Sequence, residues 1–211
     1  MSIERRSVLK GMALGGAALA LSQAGLAAAA QVSSATTRKP VVLLVSDKNA
    51  HTAFIAGVKA NPSAGQLTVL QAEHEMDFIS SFAQRLQHSK GERILGLVDD
   101  ASGMLLLDIA RSAGARVHWM GQHATLNGTS RHRISATTQN ANCITQFAEH
   151  AHSCSRPTVM TEQTLSASSD WAASLGFALA SAEPNRRYLR TTPPTQTAAV
   201  DGHFVSFSIE T

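Results

Sequence analysis

Residues 40–60 are "PVVLLVSDKNAHTAFIAGVKA", in which an uninterrupted apolar run of strand length stands just before an amphipathic stretch of helix length. The run Val41 to Val45 contains no polar residue, which predicts a strand buried on both faces. The following segment "HTAFIAGVKA", residues 51–60, predicts a helix. Because a buried strand followed by a helix is the repeating unit of α/β sheets, this stretch indicates an α/β fold.

The same alternation continues as far as residue 121. Strands are predicted within "QLTVLQAE" (66–73), "RILGLVDD" (93–100) and "RVHWMG" (116–121), and helices within "DFISSFAQRLQ" (77–87) and "GMLLLDIARSAGA" (103–115). Three strand–helix units in series favour parallel strands joined by helical crossovers. We therefore predict a single three-layer α/β sandwich with a mainly parallel, flavodoxin-like or Rossmann-like sheet.

The second half of the chain is less regular. Its predicted elements are a turn at "LNGTS" (126–130), a strand at "RHRISAT" (131–137), a helix at "NANCITQFAEHAHSC" (140–154), a short strand at "PTVMT" (157–161) and a helix at "SSDWAASLGFALASA" (168–182). A proline-bearing loop follows over 183–202, and "HFVSFSIE" (203–210) alternates apolar and polar residues. That alternation predicts a C-terminal strand at an edge of the sheet. Residues 41–211 are expected to form one domain.

The N-terminus has the three-part layout of an export leader. A charged start precedes an apolar stretch from Gly11 to Ala30, which ends in small residues and predicts cleavage just before Gln31. Several glycines and polar residues interrupt the apolar stretch, which argues against a retained membrane anchor, since a spanning helix needs about 20 strongly apolar residues. Residues 1–30 are thus a predicted signal peptide, and 31–40 a flexible lead-in to the domain.

The segment "RRSVLK", residues 5–10, resembles a twin-arginine translocation signal. The pair Arg5 and Arg6 is followed by Val8, Leu9 and Lys10, which match the apolar residue, leucine and lysine of that signal. The resemblance implies export of the folded protein to the bacterial periplasm, with the twin-arginine translocase as a partner. It also implies that a cofactor or partner is often acquired before export. An ordinary secretory leader with two arginines is the alternative.

The charge balance excludes one class of partner. The chain has 18 basic and 15 acidic residues, and removal of the leader leaves 15 and 14. Proteins that bind nucleic acid carry a clustered basic face, which a nearly neutral domain of about 180 residues does not supply. We therefore expect no nucleic-acid partner.

Ionisable side chains follow several predicted strands, where open α/β sheets bind their ligands. Asp47, Asp99 and His123 each closely follow such a strand and are the candidate catalytic and metal-binding residues. If the first and third strands are neighbours, the two carboxylates lie about 5 Å apart and repel each other unless a cation lies between them. A divalent metal with His123 as a further ligand could activate a water molecule. The alternative is that the aspartates only cap helices.

Several familiar signatures are absent from the sequence. No G-x-G-x-x-G follows the first strand, no phosphate-binding P-loop occurs, and no G-x-S-x-G nucleophile elbow is present. The sequence therefore names no cofactor, apart from the divalent metal that the aspartates would accommodate.

A second group of metal-ligand types lies in "CITQFAEHAHSC", residues 143–154. On a helix, His150 and Cys154 stand four residues apart and could share a metal ion, but two ligands are fewer than a closed site needs. Cys143 and Cys154 would lie about 16 Å apart along a continuous helix, beyond disulfide reach. We favour the interpretation that these residues form one edge of a helix packed at the margin of the core, where cysteine acts as a small apolar residue. We expect neither thiol to be needed for folding.

Two functions remain after these exclusions. The favoured hypothesis is an exported, non-catalytic periplasmic binding or accessory protein that serves a small ligand or a redox or cofactor-containing partner. The alternative is a small α/β hydrolase, either metal-assisted or simple, that uses Asp47, Asp99 and His123.

Overall fold

A computed structural model describes residues 39–46, 48–73, 75–127, 129–137, 140–150, 162–167, 171–181 and 201–211. Several predicted features lie outside these ranges, namely the leader with Arg5 and Arg6, the candidate ligand Asp47, Cys154 and the strand at 157–161. Among the described helices, none is long and apolar enough to cross a membrane.

The described residues form seven strands and five helices. In chain order these are β1 (Val41–Val45), α1 (Lys48–Ala60), β2 (Leu67–Gln71), α2 (Met76–His88), β3 (Arg93–Asp99), α3 (Asp100–Ser112), β4 (Arg116–Leu126), β5 (Thr129–Ala136), α4 (Ala141–His150), β6 (Glu162–Ala167), α5 (Trp171–Ala180) and β7 (Gly202–Glu210). The strands make one sheet in the order β2-β1-β3-β7-β4-β5-β6. The predicted α/β class is confirmed.

The sheet is mixed rather than mainly parallel. Strand β1 pairs in parallel with β2 and β3, whereas the pairs β3–β7, β7–β4, β4–β5 and β5–β6 are antiparallel. The turn between β4 and β5 explains part of this difference, because Asn127 takes a left-handed conformation with φ of 51°. An Asn-Gly pair favours such a tight hairpin turn, which joins antiparallel neighbours.

The prediction that the C-terminal strand lies at an edge is wrong. Strand β7 lies inside the sheet between β3 and β4, and its alternating serines do not face solvent. Ser206 and Ser208 are 0% and 2% exposed. The hydroxyl of Ser206 is hydrogen-bonded inside the protein to Trp119 and His123, so its polarity is satisfied without water.

Helices cover both faces of the sheet, which makes the predicted three layers. On one face α1, α4 and α5 pack against a core that contains Phe54, Phe147 and Trp171. On the other face α2 and α3 pack against a second core that contains Phe82 and Leu107.

Helix α5 is buried along its whole length and makes backbone contact with α1. A Cβ atom added at Gly57 would lie 2.0 Å from the carbonyl oxygen of Ala173, and one added at Gly176 would lie 2.2 Å from that of Phe54. Only glycine fits at these two points, so each helix supplies one glycine to the crossing.

The α2–α3 layer leaves part of its sheet face exposed. Strands β4, β5 and the start of β7 present Gln122, Ala124, Arg131, Arg133 and His203 on this side, and all but the half-buried Ala124 are exposed. We call these five residues the open face.

Candidate functional site

Asp99 lies at the end of β3 and acts as a helix cap. Its carboxylate accepts a hydrogen bond of 2.9 Å from the backbone N–H of Ser102 in the first turn of α3. Its own backbone N–H donates to the Ser46 hydroxyl at 2.6 Å, which ties the ends of β1 and β3 together. The capping role that the sequence offered for an aspartate at this helix therefore applies to Asp99.

The predicted metal site requires the first and third strands to be neighbours. The structure meets this condition, because β1 and β3 pair in parallel. Asp47 itself lies outside the described residues, so the site formed by Asp47, Asp99 and His123 stays a prediction. Among the described residues, no group of three or more histidine, cysteine, aspartate or glutamate side chains is placed to hold a metal ion.

His123 lies inside a strand rather than beyond the end of one. The sequence predicted a strand over 116–121, but β4 continues to Leu126. Asp99 pairs with Phe204 across β3 and β7, and Phe204 pairs with His123 across β7 and β4. One strand therefore separates Asp99 from His123, which corresponds to about 10 Å between their Cα atoms.

Gly121 explains why the sequence predicted too early an end for β4. A glycine suggests a strand end, but here it makes room for a contact on the neighbouring strand. A Cβ atom at Gly121 would lie 2.6 Å from the Ser206 hydroxyl oxygen and 2.8 Å from His123 Nε2. The missing side chain thus lets His123 reach Ser206.

His123 forms a buried hydrogen-bonded pair with His132 of β5, which we call the histidine pair. The two Nδ1 atoms lie 2.7 Å apart. At the outer ends of the pair, His123 Nε2 lies 2.7 Å from the Ser206 hydroxyl and His132 Nε2 lies 2.9 Å from the Ser130 hydroxyl. His132 was not predicted from the sequence, although it stands opposite His123 across the hairpin that "LNGTS" predicts.

The hydrogen bonds of the pair extend to a tryptophan. Trp119 Nε1 can only donate, and it donates to the Ser206 oxygen at 2.8 Å. Between the two neutral rings, one Nδ1 carries the proton and donates to the other.

Aromatic rings enclose the histidine pair. Trp171 stacks on His123 with ring centroids 4.9 Å apart, and Phe147 meets His132 edge-on at 5.1 Å. Burial, reinforced by the neighbouring His132, lowers the pKa of His123 well below its ordinary value. Burial likewise lowers the pKa of His132 to about 4. Both rings are therefore neutral near pH 7, and the pair is part of the core.

Two polar atoms beside the pair have no hydrogen-bond partner among the described residues. Trp171 Nε1 and Thr125 Oγ1 are buried and have no hydrogen-bond partner in the described part of the chain. Thr125 lies on β4 two residues after His123 and opposite Ser130. A buried polar atom without a partner costs stability.

A cleft lies where the open face meets the start of α3. Its volume is about 310 Å³, and the residues that line it are Asp100, Gln122, His123, Ala124, Arg131, His132, Arg133, His203 and Phe204. Arg131, Ala124 and His203 stand in one row across β5, β4 and β7, and Arg133 and Gln122 stand in the next row. Because Ala124 is small, the centre of the first row forms a hollow. We call this cavity the open-face cleft.

A second, larger cavity of about 600 Å³ lies between α2 and the edge strand β2. Its lining includes Phe78 and Phe82, whose stacked rings have centroids 6.3 Å apart. The arginine in it, Arg85, is bound to Glu92 at 2.7 Å. Since Glu92 already neutralises the Arg85 guanidinium, this cavity offers a polar ligand less charge to bind than the open-face cleft does.

Cys143 packs in the core as a small apolar residue. It is a free thiol, and burial raises its pKa to about 12 although Arg93 opposes this effect. Cys154 lies outside the described residues. The metal site considered for His150 and Cys154 lies outside the side chains that the structure describes.

Comparison of the chain with protein-family models, with curated proteins and with solved structures finds no match.

Proposed function

We propose that this chain is an exported periplasmic binding or accessory protein that holds a small ligand in the open-face cleft. The observation that carries the proposal is the cleft itself, a hollow between three strands and the start of α3. Its volume of about 310 Å³ lies at the lower end of the range for ligand pockets.

The position of the cleft supports this function. Strands β3 and β4 point in the same direction, because both are antiparallel to β7. The cleft lies toward the carboxyl ends of these two strands, where Asp100 and Ala124 are found. Open α/β sheets bind their ligands at this end of the sheet.

The interior polar groups have partners inside the protein. The histidine pair, Ser130 and Ser206 are buried and hydrogen-bonded to one another, and the Asp99 carboxylate caps α3. These hydrogen bonds stabilise the fold beneath the cleft, which His123 and His132 border.

Binding can be tested on protein purified from the periplasm, by native mass spectrometry for a retained molecule and by thermal-shift screening of small metabolites. A ligand of the cleft should raise the melting temperature of the native protein but not that of Ala124→Leu, which fills the hollow. Ala60→Leu, at the exposed end of α1, is the matched control and should keep the shift. If no molecule is retained and no compound shifts the native protein, the proposed function fails.

Export rests on the leader and has its own test. Changing Arg5 and Arg6 together to lysine should leave the precursor in the cytoplasm, because the twin-arginine translocase recognises the arginine pair. Unchanged export would assign the protein to the general secretory route. A redox or cofactor-containing partner, which this export route favours, would be sought by crosslinking in the periplasm.

The alternative function is a metal-assisted hydrolase. The adjacency of β1 and β3 supports it, since their ends would bring Asp47 and Asp99 together. Calorimetry with Mg²⁺, Mn²⁺ and Zn²⁺ tests it. Equal weak heats for the native protein and for Asp47→Ala/Asp99→Ala would reject the metal site and favour the binding protein.

A further inference from the structure

We infer that the open-face cleft recognises a compact anion, a carboxylate or phosphoryl group carried by a small ligand, and this inference rests on the proposed function. The cleft brings Arg131, Arg133 and His203 to one side of Asp100. Its lining contains two arginines and one carboxylate, so the lining side chains carry more positive than negative formal charge.

Arg131 lies directly beside the hollow. It pairs with Ala124 across β5 and β4, so its side chain is long enough to reach the hollow above that residue. Arg133 is two residues further along β5 on the same face, with its Cα atom about 7 Å away. A guanidinium group presents parallel N–H donors that match the two oxygens of a carboxylate or phosphate.

Arg131 is available for such a ligand. Elsewhere the structure pairs basic side chains with acids, as in Lys39 with Glu210 and Arg85 with Glu92. Arg131, in contrast, has no acidic partner among the described residues, although it lines the open-face cleft. An anionic ligand would supply the negative charge that pairs with Arg131.

The opposite wall defines the rest of the ligand. Asp100 follows the last residue of β3, and three strand spacings separate β3 from β5 in the sheet order. Asp100 and Arg131 therefore stand about 14 Å apart at their Cα atoms. A ligand that spans the cleft would place its anionic group near Arg131 and a hydroxyl or amine donor near Asp100, with the Gln122 amide between them.

Titration calorimetry on the exported protein tests the inference, with inorganic phosphate and succinate as probes and glycerol as the neutral comparison. Arg131→Gln should weaken binding of both anions at least about tenfold, because a charge-assisted hydrogen bond is lost. Arg116→Gln, an exposed arginine at the other end of the sheet, should bind as the native protein does. Asp100→Asn should strengthen phosphate binding about threefold, since it removes a repelling charge.

The outcomes separate this inference from the function on which it rests. Equal losses for Arg131→Gln and Arg116→Gln would show general charge attraction and overturn the anion site. If glycerol or another neutral compound binds in a manner that Ala124→Leu abolishes, and the anions do not bind, the proposed function stands while the anion inference fails. Absence of any binding would reject both.

Discussion

His123 Nδ1 and His132 Nδ1 lie 2.7 Å apart, so the two rings share one proton between strands β4 and β5. Addition of a second proton would set two N–H groups against each other in a site from which water is excluded. The described side chains that enclose the pair, from Trp171 and Phe147 to Ser130 and Ser206, carry no charge that could compensate. The folded state therefore requires both rings to be neutral.

Acid should destabilise the protein through this pair. The pKa of His132 is about 4 in the folded protein, against about 6.5 in the unfolded chain. The unfolded state therefore binds more protons below pH 6.5, and stability falls as the pH falls from 6.5 toward 4. For His132 the loss between pH 7 and pH 5 is about 2 kcal/mol, and His123 adds a loss of the same sign.

Urea unfolding at pH 7 and at pH 5 measures this loss. The free energy of unfolding of His132→Gln should differ less between the two conditions than that of the native protein. Nuclear magnetic resonance gives an independent measurement. Both imidazole rings should remain neutral in the folded protein down to pH 5, and protonation of either ring near pH 6.5 would contradict the prediction.

Ser206 should matter more for stability than its neighbour Ser208. Both are buried serines on the same face of β7, but the Ser206 hydroxyl bonds Trp119 and His123. Ser206→Ala leaves two buried polar atoms without that partner and should lower the free energy of unfolding by about 2 kcal/mol or more. Ser208→Ala is the control and should change it by less than about 1 kcal/mol. Equal effects would show that the hydrogen bonds contribute little.

Thr125→Val should stabilise the protein. Thr125 is 5% exposed, and its hydroxyl has no hydrogen-bond partner in the described part of the chain. Valine has the same shape and favours strands, so the change should raise the free energy of unfolding by about 1 kcal/mol. The control is Thr137→Val, whose hydroxyl contacts His118, and this change should not stabilise. A loss of stability for Thr125→Val would indicate that the hydroxyl binds a buried group after all.

The sequence was sufficient for the strand–helix alternation of the first half, because runs such as Val41–Val45 and the spacing of Phe78 and Phe82 report burial directly. It was insufficient for the position of β7. A strand that alternates apolar residues with serine has the same pattern whether the serines meet solvent or an internal histidine. Only the neighbouring strands decide between these cases, and they come from distant parts of the chain.

The candidate site shows the same limit. Polar residues after strands drew attention to Asp99 and His123, but one is a helix cap and the other is in the core. The open-face cleft was missed because Gln122, Arg131 and His203 come from three strands, and each looks like an ordinary exposed strand residue. The register that the "LNGTS" hairpin fixes could have placed Arg131 beside Ala124.

Cys143 should be chemically inert in the folded protein. Its thiol is buried, and its pKa is raised to about 12, so almost no reactive thiolate exists at neutral pH. With Cys154 replaced by serine, Cys143 should react with a thiol reagent only at the rate at which the protein unfolds. Rapid labelling under native conditions would show that α4 opens locally. Cys143→Ala should keep the fold, because the residue acts as a small apolar side chain.

Gly57→Ala tests the contact between α1 and α5. In a helix that makes no contact, alanine in place of glycine stabilises by about 1 kcal/mol. Here the new Cβ atom would lie 2.0 Å from the backbone oxygen of Ala173, and a backbone group cannot move aside as a flexible side chain can. We therefore expect a net loss of about 2 kcal/mol in urea unfolding, because the two helices must separate.

Ala56→Gly in the same helix supplies the comparison. It measures the intrinsic cost of glycine in α1 and should destabilise by about 1 kcal/mol. If intrinsic helix propensity alone acted at both positions, Gly57→Ala would stabilise by a similar amount. A rise in stability for Gly57→Ala would thus refute the close crossing of the two helices. Gly57→Ala and Ala56→Gly are opposite substitutions. If both destabilise the protein, the missing side chain at Gly57 holds α5 against α1.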